Sequence, residues 1–169
     1  MPRVFLSLGS NLGDRRQSLE QALRELGAYE GIRVVACSQL YETEPWPEER
    51  VTRDRWYLNC AVEIETALAP RRLLKLVQQI EVDAGRVRTP MPPGQYAART
   101  LDIDILLYGN EVVSEFDLQI PHPFLHLRRF VLTPLADIAP DVEHPTLYES
   151  IRELLTEIED ERGISPYLA

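Results

Sequence analysis

Asp102 and Asp104 stand two residues apart in the run Arg99-Thr100-Leu101-Asp102-Ile103-Asp104-Ile105-Leu106-Leu107. The apolar and β-branched content of that run reads as a buried β-strand, closed by a turn at Gly109-Asn110. Alternation predicts Leu101, Ile103, Ile105 and Leu107 on one face and both aspartates on the other. Carboxylates so spaced lie roughly 6–7 Å apart. They repel each other and lose hydration unless a cation or strong donors meet them. An all-oxygen pair suits a hard ion such as magnesium better than zinc, and magnesium commonly arrives with a phosphorylated substrate. The plain alternative is a solvated strand face whose aspartates pair with arginine.

The stretch before this strand, 86–99, carries Arg86, Arg88 and Arg99 and no acidic residue. Pro90, Pro92, Pro93 and Gly94 exclude a helix interior, so it is a long loop. Guanidinium forks beside a dicarboxylate magnesium site are what a polyphosphate requires, because the ion takes some oxygens and the forks take others. His122 and His126 are four apart, but prolines flank His122 and no glutamate holds the zinc-protease position, which argues against a zinc motif. His122 reads either as a phosphate contact or as a hydrogen-bonded loop histidine. The turn Gly9-Ser10-Asn11-Leu12-Gly13-Asp14 lacks the Gly-Lys-Ser/Thr ending of a Walker loop. It reads as a strand-to-helix turn with Asn11 or Asp14 as cap.

These residues need elements to hold them. A strand is predicted over 3–8, then a helix to about Leu26 with Leu19, Ala22, Leu23 and Leu26 on one face and Gly27 as stop. A second strand covers 32–41. The polar, proline-containing loop 42–55 exceeds the usual connection of about 4–6 residues and reads as a lid or binding loop. A third strand over 56–66 alternates Tyr57, Asn59, Ala61 and Glu63 against Leu58, Cys60, Val62 and Ile64. A second helix opens at Pro70 and ends at Gly85, burying Leu73, Leu74, Val77, Ile80 and Ala84, with Gln78 and Glu81 at its flank. A short hairpin is predicted over 111–120, and Phe130-Val131-Leu132 as a core segment. His144 is expected at the surface. Thr146 to Glu149 reads as a capping box before Ile151, Leu154, Leu155 and Ile158, with Arg162-Gly163 as the stop. Glu153, Glu157, Glu159, Asp160 and Glu161 read as that helix's solvated face.

At 169 residues the chain is expected to form one domain, 1–169. The formal net charge of −9 argues against a nucleic-acid partner. No apolar run reaches transmembrane length, and residues 1–6 continue into a strand pattern instead of a signal peptide. Cys37 and Cys60 lack metal or redox spacing and are expected to be buried and reduced, as in a cytoplasmic protein. A monomer without membrane partners is expected.

The order β-α-β-β-α-β is that of a ferredoxin-like α+β sandwich, here with a C-terminal extension of a short hairpin and helices. Several segments occur in order: Gly9-Ser10-Asn11-Leu12-Gly13, Tyr41-x-Thr43, Tyr57-Leu58-Asn59, Gly85-Arg86-Val87-Arg88, Arg99-Thr100-Leu101-Asp102-Ile103-Asp104, and Pro121-His122 through Arg128-x-Phe130. Together they resemble the 6-hydroxymethyl-7,8-dihydropterin pyrophosphokinase family over nearly the whole chain. The resemblance implies transfer of a pyrophosphoryl group from MgATP to the pterin hydroxymethyl oxygen, leaving AMP, in folate biosynthesis. It implies two magnesium ions on Asp102 and Asp104, and charge stabilisation by Arg86 and Arg99. ATP would meet Gln78, Glu81, Arg88, Ile105, His122 and Arg128. Tyr57 and Phe130 would sandwich the pterin, with Asn59, Thr43 and the Gly9 backbone on its edge and Glu44, Trp46 and Tyr96 nearby.

The chain departs from the family pattern in several places: the loop holding Pro92-Pro93-Gly94 is longer, and Trp46 is bulkier than the pattern has. Gln95-Tyr96-Ala97-Ala98 stands where a basic residue, an aromatic and Gly-Pro are usual, and Glu42 and Glu44 put acid beside the pterin pocket. Two other readings use the same residues: a non-catalytic pterin- and nucleotide-binding homologue, and a magnesium-dependent phosphohydrolase.

Overall fold

The computed structural model describes residues 1–45, 51–85 and 100–168. The first strand, β1 (Arg3–Ser10), leads into helix α1 (Arg15–Ala28), whose N-cap is Asp14: its carboxylate accepts the Gln17 N–H. Strands β2 (Ile32–Cys37), β3 (Tyr41–Thr43) and β4 (Tyr57–Thr66) follow, then helix α2 (Pro70–Asp83) and strand β5 (Asp102–Tyr108). The extension holds a hairpin, β6 (Val113–Glu115) and β7 (Leu118–Ile120), helices α3 (Arg129–Ile138) and α4 (Ile151–Glu157), and a last strand β8 (Ile164–Pro166). The main sheet runs β5-β1-β4-β3-β8, with β2 also on β4, and its pairings are antiparallel. This is the expected α+β architecture. Among the described residues no helix is long and apolar enough to cross a membrane.

Each sheet face has its own core. Leu6, Leu8, Leu58, Val62 and Ile103 pack beneath α1 and α2, whose Leu19, Leu26, Leu73 and Val77 are fully buried. On the opposite face Phe5, Ala61 and Leu106 pack beneath Val131 and Leu135 of α3 and Ile151 of α4. Alternation therefore sends β5 to both cores, but not quite as expected. Leu107 joins the α3 side and Tyr108 the α1–α2 side, because the β1–β5 register shifts between Phe5 and Leu6.

Several expectations need correction. The single strand over 32–41 is broken into β2 and β3 at Ser38, whose hydroxyl accepts the Ala61 N–H at 2.9 Å. A side-chain oxygen there replaces a ladder carbonyl. Gly27 does not stop α1, which runs on to Ala28. Helix α4 is capped by Ser150, which accepts the Glu153 N–H, and not by a box from Thr146 to Glu149. That tetrad instead folds back on His144, which is buried and not at the surface. The helix ends at Glu157, well before Arg162-Gly163. Asp160 is no part of a solvated helix face: its Oδ2 accepts the Arg129 N–H that opens α3. Cys60 is buried, but Cys37 is exposed; both are free thiols.

Candidate active site

Helix α3 covers only part of its sheet face. Past its edge, that face forms the floor of a cavity of about 210 Å³. Register explains the floor. Gly9 of β1 lies between Asp102 of β5 and Asn59 of β4, and Ser7 lies beside Asp104. A Cβ at Gly9 would stand 2.4 Å from Asn59 Oδ1 and 3.4 Å from the Tyr57 ring, so only glycine leaves room for both side chains.

Asp102 and Asp104 both line this cavity, on the same face of β5. Among the described residues no group of three histidines, cysteines or acids gathers anywhere as a metal cage. Two carboxylates with the remaining positions left to water and substrate oxygens match magnesium's preferences, so the residues present fit that ion. Behind the pair, Glu81 of α2 is 2% exposed, and its Oε2 accepts the Ile103 N–H at 3.0 Å. Among the described residues β5 ends the sheet, and this carboxylate meets backbone that a neighbouring strand would otherwise pair.

His122 is brought to β5 by its own backbone, whose N–H donates to the Leu106 carbonyl at 3.0 Å. Its Nδ1 accepts the Phe124 N–H at 3.1 Å, which leaves Nε2 to carry the proton of the neutral ring. Burial, helped by the Arg128 charge and opposed by Asp102, pushes its pKa down to about 4. At neutral pH His122 is thus an uncharged donor. Arg128 lies 5.1 Å from the Phe124 ring centroid and 5.5 Å from that of Phe130, holding a buried cation between two aromatic faces at the start of α3.

On the β4 side Tyr57 and Asn59 line the cavity, as does Phe130 of α3. Asn59 Nδ2 donates to Thr43 Oγ1, locking the amide to β3. Helix α3, which carries Phe130, is tied to β3 by the Tyr41 hydroxyl donating to Asp137 at 2.7 Å. Burial and that partner raise the Tyr41 pKa to about 12.

The structure therefore gathers Gly9, Thr43, Glu44, Tyr57, Asn59, Asp102, Asp104, His122, Arg128 and Phe130 around one cavity, all of them expected from the sequence. Ile105 lines an adjoining cavity of about 310 Å³ that shares Asp104 and His122. Gln78 and Glu81 line neither. Trp46, Arg86, Arg88, Tyr96 and Arg99 lie outside the described residues. Ser7, Pro45, Pro123 and Phe124 also line the first cavity and were not anticipated. Ser7 was legible as the strand neighbour of Gly9 on the same face; Phe124 carried no signal beyond its place near His122.

Comparison with known proteins gives the same picture. The profile of the family described as 7,8-dihydro-6-hydroxymethylpterin-pyrophosphokinase (HPPK) matches residues 5–140. A 2-amino-4-hydroxy-6-hydroxymethyldihydropteridine pyrophosphokinase of Methylorubrum extorquens is 44% identical over 97% of this chain and 98% of its own length. The protein of the same name from Bacillus subtilis is 42% identical over 83% of this chain and 80% of its own. Among solved structures, HPPK-DHPS of Plasmodium falciparum superposes over 93% of this chain with a TM-score of 0.69 at 19% identity. This chain spans only 43% of that longer one, so the likeness speaks for the fold. A cavity floored by paired aspartates and walled by Tyr57, Asn59 and Phe130, in a chain this similar to these relatives, places the protein in the HPPK family.

Proposed function

We propose that this cavity is where the chain carries out its family's reaction, with Asp102 and Asp104 at the phosphate end and Tyr57, Asn59 and Phe130 at the pterin end. The chain is an ATP-dependent diphosphotransferase of folate biosynthesis. Pyrophosphate passes from ATP to the hydroxymethyl group of 6-hydroxymethyl-7,8-dihydropterin. The pterin hydroxyl oxygen gives up its proton to water and forms a bond to the β-phosphorus, the bond from that phosphorus to the oxygen it shares with the α-phosphorus breaks, and AMP leaves with that oxygen. The observation that carries the reading is the shared face: Asp102, Gly9 and Asn59 are neighbours across three strands and line one cavity.

Phosphoryl-type transfer asks a protein for alignment and charge neutralisation more than for a covalent nucleophile. Asp102 and Asp104 would hold magnesium, two ions in our reading, which when bound neutralises phosphate charge and makes the acceptor hydroxyl more acidic. His122 donates from Nε2 without adding charge, and Arg128 supplies a buried cation for phosphate oxygens. Arg86, Arg88 and Arg99 supply further cations in this reading, and Gln78, Glu81 and Ile105 the nucleotide side. Tyr57 and Phe130 stack on the pterin faces; Asn59, Thr43 and the Gly9 backbone meet its edge, with Glu44, Trp46 and Tyr96 beside it. We place the enzyme in the cytoplasm as a monomer acting on small molecules. Two free thiols support the cytoplasmic placement.

The test is an assay with authentic hydroxymethyl-dihydropterin and MgATP. AMP formed only when the pterin is present supports the reading. Pterin-independent phosphate release, or pterin binding without AMP, overturns it.

A further inference from the structure

We propose that residues 160–167 are a positioning element for the pterin: they set the spacing between its two aromatic walls, Tyr57 and Phe130. The inference rests on the pterin lying between those walls. The segment falls beyond the 5–140 stretch matched by the family.

Strand β3 is only three residues long, with β4 on one edge and β8 on the other. Pairing Thr43 with Ile164 gives this short strand a second ladder. The pairing then continues into the cavity wall. Glu44 N–H donates to the Gly163 carbonyl at 2.9 Å, and Gly163 N–H donates back to Glu44 Oε1 at 2.9 Å. Glu44 is 3% exposed, and a carboxylate so buried needs such donors. Arg162 Nη1 stands 3.9 Å from its other oxygen.

The same glycine abuts the residue that leads into Tyr57. A Cβ at Gly163 would come within 2.4 Å of Trp56 Cη2 and 3.2 Å of two further ring carbons. Arg53 closes this side, donating to Ser165 Oγ at 2.8 Å while its guanidinium lies 4.8 Å from the Trp56 ring centroid. Three residues earlier, Asp160 reaches the other wall. Its Oδ2 accepts the Arg129 N–H at 3.0 Å and its carbonyl accepts Arg129 Nε at 2.9 Å, next to Phe130. One short segment thus grips the residue before Tyr57 and the residue before Phe130.

The test separates the two ligands. Isothermal titration measures a non-hydrolysable MgATP analogue on the free protein, and then pterin on the protein saturated with that analogue. Asp160→Ala should weaken pterin binding about tenfold, the worth of one charge-assisted hydrogen bond, and Gly163→Val, which drives a side chain into Trp56, should weaken it by a similar factor; both should leave the analogue within about twofold. Asp160→Asn keeps an acceptor for the Arg129 N–H and should restore pterin affinity. Thermal melts show which variants fold; if Gly163→Val does not, the Asp160 pair decides. Unchanged pterin affinity in a folded variant, equal loss of both ligands, or no rescue by asparagine overturns the inference. Tyr57→Ala is the control on the site itself. If it binds pterin as well as the unaltered protein does, the seat between Tyr57 and Phe130 is wrong and this inference falls with it. If it weakens binding while the Gly163 and Asp160 variants do not, only the positioning role fails.

Discussion

Glu81 Oε2 accepts the backbone N–H of Ile103, the residue between the two cavity aspartates, at 3.0 Å. The carboxylate therefore acts on the strand that carries Asp102 and Asp104, although it lines neither cavity. Removing it leaves a buried N–H without that acceptor. Glu81→Ala should raise the magnesium concentration needed for half-maximal rate and lower kcat about tenfold, whereas Glu81→Gln, which retains an acceptor, should lose less. Initial rates across a magnesium titration check this. A rise in the KM for ATP alone would confine Glu81 to the nucleotide side and remove its part in holding the aspartate strand.

Asp102→Asn and Asp104→Asn keep the size of each side chain and remove its charge. Each should lower the rate of AMP formation about a hundredfold or more. The fold should survive in both, as a thermal melt of each variant checks. Near-normal AMP production would refute the metal assignment.

Tyr57→Ala and Phe130→Ala each remove one aromatic wall. Stacking and lost apolar area together should raise the KM for pterin about tenfold or more, with little change in the KM for ATP. Steady-state kinetics with each substrate varied in turn give the answer.

Gly9→Ala would put a methyl group against Asn59 Oδ1, at 2.4 Å before relaxation. The amide must then turn away from Thr43, to which it now donates. Pterin binding should weaken more than nucleotide binding, as titration of each would show.

His144 is 4% exposed, and its Nδ1 accepts the N–H groups of Thr146 and Leu147 at 3.3 and 3.1 Å. Burial, and the charge His126 would carry beside it, hold its pKa below the ordinary value. The folded protein therefore resists a proton that the unfolded chain accepts. This contribution to stability is complete above the unfolded pKa of about 6.5 and is lost as pH falls from there through the lower folded value. His144→Asn keeps an acceptor but does not titrate. Urea midpoints measured between about pH 7 and 5 should fall less steeply in that variant than in the parent protein.

Much of the site was legible because strand alternation is local. Asp102, Asp104, Tyr57 and Asn59 could be assigned to faces from neighbours alone, and Asp14 and Pro70 announced their helices. What was not legible depends on partners distant in sequence. Leu107 changed sides through a register shift opposite Phe5 and Leu6. Ser38 broke a strand because its hydroxyl met Ala61. Strand β8 is too short to show a period and exists by pairing with β3. Thr146 and Ser150 are both plausible caps by type, and His144 claimed the backbone near the first.

The sheet face beneath α3 is covered by that helix over Phe5, Ala61 and Leu106, while its other end is the cavity floor. Whatever settles there does for one end of the sheet what α3 does for the other, so ligand binding and folding draw on a single surface. Each bound substrate must therefore shift the unfolding transition upward with its concentration. A simple heating curve then ranks candidate molecules without any need for turnover.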